Sequence, residues 1–208
     1  MDASHHPAPE LRPQRSLPTL RTERLTLRPV AVSDLDAMHA YLGLEEVCRY
    51  LLHEPLSREE VEARLVECRK RSTLEQPGDF VRLAVVRDAD AVVVGDVMLD
   101  ITSVETATVE IGWVFSPEVA GRGYATEAAR ALLGYAFGTL NAHRAVARLH
   151  PDNAASARLC ERLGMRHEAL HRADLWVKGH WEDTSVYAVL RREWHATTAP
   201  PASAPGRR

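Results

Sequence analysis

The chain predicts an α/β (α+β) domain with a mixed, mostly antiparallel central sheet and helices on both faces. Three observations predict it. β-rich runs dominate the middle of the chain, a glycine turn leads straight from one of them into a long helical pattern, and a further strand–helix pair precedes two closing strands. At 208 residues the chain fits one domain with tails and is long enough to bury a full core.

Each element has a local cause. Residues 1–18 are rich in Pro, Ser and Arg without periodicity and are expected to be a disordered tail. Residues 25–29 read as a strand. Ser33 and Asp36 open a short helix that runs to Gly43. Ser57-x-x-Glu60 is a capping box, and Val61, Leu65 and Cys68 at helical spacing carry a helix to about Thr73. Residues 80–87, 91–102 and 106–115 are β-rich, with turns at Asp88-Ala-Asp90 and near Ser103. A Gly-x-Gly turn then opens a helix ending near Gly138. A strand at 144–150 follows, then a helix with Asn153 as N-cap and Gly164 as C-cap, and strands at 168–177 and 181–190. Residues 196–208 are expected to be a second disordered tail, which leaves a domain at 19–195.

Composition excludes several classes. The net charge of −3, without a basic stripe interleaved with aromatics, argues against nucleic acid as partner. There is no apolar leader and no run of eighteen apolar residues, so neither secretion by that route nor a membrane span is expected. Three cysteines, Cys48, Cys68 and Cys160, lack metal-type spacing and suit a reducing, cytoplasmic setting. His167 and His171 are spaced as helical ligands but fall in a predicted strand, so no metal is expected. Oligomeric state is left open, a homodimer included.

The most informative stretch runs from Glu110 to Glu127. Small residues at Ala120, Gly121, Gly123 and Ala125 let the backbone approach a ligand, and the first N–H groups of the following helix have no intrahelical partner. That arrangement favours a bound phosphate. A dinucleotide fingerprint would need a third glycine where Thr126 stands, and an acid about twenty positions on. A triphosphate loop needs Gly-Lys, whereas the chain's lysines are Lys70 and Lys178.

The segment Ala120-Gly121-Arg122-Gly123-Tyr124-Ala125, followed by Thr126-Glu127-Ala128, resembles the acyl-CoA loop of the GNAT N-acetyltransferase superfamily, Gln/Arg-x-x-Gly-x-Gly/Ala. It departs at Ala120, where Gln or Arg is usual. Thirty residues after Gly123, the block from Asn153 to Met165 resembles the superfamily's Asn-x-x-Ser/Ala…Gly-Phe helix beside the pantetheine arm. Alone, either block reads as ordinary capping. Both in this order, joined by a helix and a strand, are not explained that way. The opening at 20–29 and the close from His180 to Trp194 are similar to the ribosomal-protein N-terminal (alanine) acetyltransferase branch. The resemblance covers residues 19–195.

The resemblance implies a GNAT fold in which a splayed pair of parallel strands holds acyl-CoA. It implies acetyl-CoA as cosubstrate and an amine as acceptor, either a protein N-terminal α-amine or a small molecule, attacking directly in a ternary complex. Trp113, Val114 and Phe115 would hold the pantetheine arm like an added strand. Ala120, Gly121, Arg122, Gly123, Tyr124, Ala125 and Thr126 would hold the phosphates, and Asn153 and Ser156 would complete the cofactor site. The oxyanion donor would be the N–H of Val114 or Phe115, where Pro117 breaks the pairing.

The base needed depends on the amine. Deprotonation at pH 7 costs about 1.4 kcal/mol for an α-amine near pKa 8 and about 4.6 kcal/mol for a lysine near 10.4. Glu110 is the first candidate, because strand alternation places Thr108, Glu110, Gly112 and Val114 on one face and Val109, Ile111, Trp113 and Phe115 on the other. A structural salt bridge is the competing role for this carboxylate. Asp174 and His150 are further candidates, His150 equally suited to packing. Many superfamily members place Tyr seven residues after the motif Asn as acid toward the leaving thiolate. Cys160 stands there; the resemblance to the N-terminal acetyltransferase branch instead implies the motif's Ser near the sulfur, which here is Ser156. An acyl-CoA-binding sensor without turnover is the alternative class, to which Ala120 and Cys160 would fit. The acceptor groove is expected from residues 45–77 and 171–181.

Overall fold

The computed structural model describes residues 10–71 and 73–198. Eight strands form one sheet: β1 (Leu20–Arg21), β2 (Leu25–Pro29), β3 (Phe80–Arg87), β4 (Val92–Ser103), β5 (Thr108–Phe115), β6 (Arg144–Leu149), β7 (Arg166–Val177) and β8 (His180–Leu190). The helices are α1 (Leu35–Leu42), α2 (Glu45–Cys48), α3 (Arg58–Lys70), α4 (Tyr124–Gly138), α5 (Ala154–Arg162) and α6 (Arg191–Thr198). The strand order is β1-β2-β3-β4-β5-β6-β8-β7, antiparallel throughout except where β5 meets β6.

That single parallel pair is short. It holds register only at Thr108↔Arg144, Val109↔Ala145 and Glu110↔Val146. Beyond this point β5 stays with β4 to the pair Gly95↔Phe115, while β6 stays with β8 to Leu149↔Ser185. The two strands therefore part after Glu110 and Val146. Each leaves the sheet before a proline, Pro117 and Pro151, which cannot donate to a ladder.

The faces follow from strand alternation. Val109 and Ile111 are buried against α4, whose Ala128, Ala129, Leu132, Leu133, Ala136 and Phe137 fill one core, with Trp113 and Phe115 packed on its border. Each fully buried leucine there contributes about 1.5–3 kcal/mol. On the opposite face α1 and α3 bury Met38, Tyr41, Leu42, Val61 and Leu65, and Val114 packs on that cluster. The buried Asp96 of β4 is satisfied by Tyr41, whose hydroxyl donates to it at 2.8 Å, and by Arg82.

The capping box of α3 forms as its sequence requires: Glu60 N–H donates to Ser57 Oγ at 3.2 Å and Ser57 N–H to Glu60 Oε2 at 2.7 Å. Other expectations need correction. The helix expected from Ser33 starts at Leu35, after a 3₁₀ turn Val32–Asp34, because Asp34 accepts the Ala31 N–H and pairs with Arg28. The short α2 has no capping or periodic signal and was not expected. Within the expected first tail, Leu11 is buried, Arg12 N–H donates to Leu140 O and Gln14 pairs with Leu74, so residues 10–18 lie along the fold; residues 1–9 fall outside the described part. The second expected tail loses its start to α6, where Trp194 packs on Phe137. Residues 199–208 lie outside the described part.

Candidate active site

The chain turns from β5 into α4 through two left-handed glycines, Gly121 (φ 75°) and Gly123 (φ 81°). Gly123 is the N-cap of α4, and the first i→i−4 bond is Glu127 N–H to Gly123 O at 3.1 Å. The amides of Tyr124, Ala125 and Thr126 precede it, so they are first-turn donors, aimed with the positive helix end at a cavity of about 1040 Å³. Gly121, Gly123, Ala120 and Phe115 also line this cavity, and Arg130 and Arg162 add cationic side chains. Arg162 Nε donates to Thr126 Oγ1 at 3.1 Å, fixing it beside the turn. These groups fit a pyrophosphate: anion-binding amides, a backbone without obstructing Cβ atoms and two guanidiniums.

Arg122, expected among the ligand contacts, is exposed and does not line this cavity. Its backbone holds the turn instead: its N–H donates to Val119 O at 3.3 Å and its carbonyl accepts from Arg24 at 3.1 Å. The Arg24 guanidinium also lies 4.7 Å from the Tyr124 ring centre. Glu127 closes the set, accepting from Thr22 Oγ1 at 2.6 Å, Arg24 N–H at 2.9 Å and Arg24 Nε at 2.7 Å. Burial pushes the Glu127 carboxyl up, but these hydrogen bonds outweigh it and hold it below the usual carboxylate range. Thr22 and Arg24 lie in the opening stretch at 20–29, and a separation of 105 and 103 residues from Glu127 leaves no local signal for the contact.

The parting of β5 and β6 forms a second cavity, of about 720 Å³, with Trp113, Val114, Asn153 and Ser156 in its wall. Phe115 belongs to the first cavity and Val114 to the second, so the end of β5 borders both. Hydrogen-bond direction alternates along a strand. Ser116 N–H donates to Val94 O at 3.0 Å, and the β4–β5 register is unbroken from Gly95↔Phe115 to Ile101↔Val109. Val114 and Gly112 therefore direct their N–H groups to β4, while Ile111, Trp113 and Phe115 direct theirs toward β6, a side that is open at Trp113 and Phe115 where the strands have parted. Of the two expected oxyanion donors, alternation removes Val114 and leaves Phe115. The β4 neighbour must be glycine: a Cβ on Gly95 would lie 2.5 Å from Val114 O and 2.6 Å from the Phe115 ring.

Glu110 occupies the base of the parting, in the last parallel pair. It lines the second cavity with its side chain 26% exposed, and Arg148 Nε stands 3.2 Å from Oε2. Burial pushes its carboxyl above the usual range, Arg148 pulls it back, and Asp100 adds a further rise. The salt bridge is thus present, and it places the carboxylate at the cavity floor.

His150 is engaged at both nitrogens. Asp152 N–H donates to Nδ1 at 3.1 Å, so the ring hydrogen resides on Nε2 and is donated to Glu182 Oε2 at 2.7 Å. The expectation that it accepts a substrate proton is corrected accordingly: it has no vacant lone pair, and the Tyr50 ring stacks on it at 5.1 Å. Glu182, on β8, also accepts from His180 at 2.6 Å. Burial raises the Glu182 carboxyl, yet the hydrogen bonds from His180 and His150 leave it lowered. Asp174 lines the same cavity, 3.4 Å from His171 Nδ1.

Asn153 caps α5, accepting the Ser156 N–H at 3.0 Å. Trp113 Nε1 donates to Ser156 Oγ at 3.2 Å. Cys160 is fully buried and its thiol is pushed up to about 12 by burial, so it serves as packing and not as a nucleophile. Among the described residues no group of histidines, cysteines and carboxylates is placed to hold a metal ion, and no helix is long and apolar enough to cross a membrane.

Known proteins share these features. The acetyltransferase (GNAT) domain description matches residues 24–166. The uncharacterized N-acetyltransferase YnaD of Bacillus subtilis is 30% identical over 176 residues, 85% of this chain and 99% of that protein. The crystal structure of a GCN5-related N-acetyltransferase from Brucella melitensis superposes with a TM-score of 0.78 at 28% identity, covering 91% of this chain and 85% of that one. The spermidine N-acetyltransferase of Vibrio cholerae, crystallised with CoA and spermine, shares the fold with a TM-score of 0.70 at 22% identity, over 83% of this chain and 99% of that one. With the domain matched over most of its length, the chain belongs to the GNAT family of N-acetyltransferases.

Proposed function

We propose that this chain transfers the acetyl group of acetyl-CoA to an amine by direct attack in a ternary complex. The observation that carries the reading is the parting of β5 from β6, with Glu110 at its base and the phosphate-type turn at its far end. The glycine turn, the amides of Tyr124 to Thr126, Arg130 and Arg162 would hold the CoA phosphates. The open edge of β5, at Trp113 and Phe115, would take the pantetheine arm. Acetyl-CoA supplies the activated acyl group.

The chain's residues then divide the remaining work. Phe115 N–H donates to the carbonyl oxygen as charge develops there. Glu110 receives the amine proton, directly or through water, with burial making it a stronger base than a free carboxylate. Ser156 Oγ, held by Trp113, gives a proton to the departing thiolate. An amine acceptor also agrees with the spermine found in the Vibrio cholerae structure.

The test is thiol release from acetyl-CoA with a panel of N-terminal peptides, amino acids, aminoglycosides and polyamines, alongside thermal shift with acetyl-CoA. Amine-dependent release is the expected result and names the acceptor class. Binding of acetyl-CoA without release across the panel would contradict turnover and favour a sensor.

A further inference from the structure

The second cavity divides its charges between two walls. The strand wall holds the carboxylates of Glu110, Asp174, Glu182 and Asp183 with one guanidinium, Arg148, which pairs with Glu110, while the wall toward α2, α3 and β3 holds the guanidiniums of Arg49, Arg64 and Arg82. Arg82 is neutralised by the buried Asp96. No carboxylate forms an ion pair with Arg49 or Arg64 among the described residues. Lys178, from the turn between β7 and β8, brings its ammonium to the same wall, donating to the carbonyls of Cys48 at 2.7 Å and Arg49 at 3.4 Å.

No acid of α1, α2 or α3 lines the cavity. Glu60 caps α3 through Ser57, Asp36 pairs with Arg58, and the exposed Glu54 is not part of the cavity wall. His53, which also lines the cavity, registers the surplus. Burial lowers its ring below the usual imidazole range, the Glu54 carbonyl offsets part of this, and Arg64, Lys178 and Arg82 lower it further. Arg64 itself is lowered by burial and then by Arg82, with Glu60, one helical turn before it, raising it in part. A guanidinium placed beside another, with no carboxylate in ion-pair contact, is relieved by a ligand anion that its planar fork can hold at two points.

We infer that the acceptor amine carries a carboxylate, its nitrogen directed to Glu110 and its carboxylate to Arg64, flanked by Arg49 and Lys178. This rests on the transferase reading. It separates the acceptor from polyamines, whose charges are all of the sign this wall repels. A cavity of about 720 Å³ lies in the range of small-molecule sites and has room for an amino acid or the first residues of a peptide.

The test compares acceptors in pairs that differ only in carboxylate against carboxamide: alanine with alaninamide, and Ser-Asp with Ser-Asn peptides amidated at the C-terminus, with spermidine as the all-cation control. Transfer is read as thiol release. Binding is read separately, by calorimetry of the CoA-loaded protein with the N-acetyl form of each compound. In at least one pair the carboxylate member exceeds its partner about tenfold in kcat/KM and in affinity. Arg64→Met removes the difference, Arg64→Lys restores part of it, and acetyl-CoA affinity stays the same. Equal use or equal binding of both members in every pair, a preference for spermidine, or a carboxylate preference that survives Arg64→Met overturns the inference, as does failure of every compound to bind. Carboxylate-selective binding without thiol release keeps the inference and overturns the transferase reading; thiol release without carboxylate preference does the reverse. A preference confined to alanine assigns a small-molecule acceptor, and one confined to the peptides assigns a protein N-terminus.

Discussion

The indole N–H of Trp113 donates to Ser156 Oγ at 3.2 Å, tying the end of β5 to the first turn of α5. An indole N–H can only donate, so the hydroxyl accepts here and keeps its own hydrogen for another acceptor. This one contact joins β5 to the helix that follows β6 and, in the proposed reaction, orients the proton given to the thiolate.

Ser156→Ala is therefore expected to lower kcat about a hundredfold, the lower range for loss of a general acid, with little change in acetyl-CoA affinity. Steady-state kinetics with calorimetry checks both. Trp113→Phe keeps the ring and removes the donor, so it should lower kcat by a smaller factor in the same direction.

Glu110 must be deprotonated to accept a proton, and burial has raised its carboxyl. The acid limb of kcat/KM is thus expected above the usual carboxylate range. Arg148 favours the charged form, so Arg148→Met should raise that carboxyl further and move the acid limb to higher pH. A limb that stays in place would detach Arg148 from the base.

Gly123 holds φ at 81°, and the left-handed region costs other residues about 1–2 kcal/mol. Gly123→Ala should weaken acetyl-CoA binding about tenfold, since 1.4 kcal/mol is a factor of ten. Gly95→Ala acts from β4, beside the end of β5, by forcing Val114 and Phe115 from their places. It should lower Tm and acetyl-CoA affinity together, measured by thermal shift with and without the cofactor.

Glu127 ties α4 to the segment before β2. Its carboxyl is lowered in the folded protein, so its contribution is present above the unfolded value near 4.3 and is lost as pH falls through the lower folded value. Hydrogen bonds to a charged group contribute about 1.5–3 kcal/mol, which partial exposure of Arg24 reduces to about 1 kcal/mol. Glu127→Gln should lower Tm by about 2–4 °C at pH 7, with the difference shrinking below pH 4.

Local signals made much of this fold legible. The alternation of β5, the capping box at Ser57 and Glu60, the glycine turn and the Asn153 cap all depend on neighbours within a few residues, and all formed. What the sequence hid depends on distant pairing. Arg24 meets Glu127 only through the sheet, His150 finds an acceptor for its Nε2 hydrogen only because Glu182 arrives from β8, and Arg162 reaches Thr126 only when α5 packs beside α4. The choice between Val114 and Phe115 needed the β4 register, which no periodicity in β5 alone encodes.

The most direct measurement is thiol release by Glu110→Gln beside the wild type, with acetyl-CoA affinity measured on both and the best acceptor of the panel at saturation. The account predicts a fall in kcat of about a hundredfold or more with unchanged acetyl-CoA affinity. Turnover equal to the wild type would contradict it and leave Glu110 as no more than the partner of Arg148.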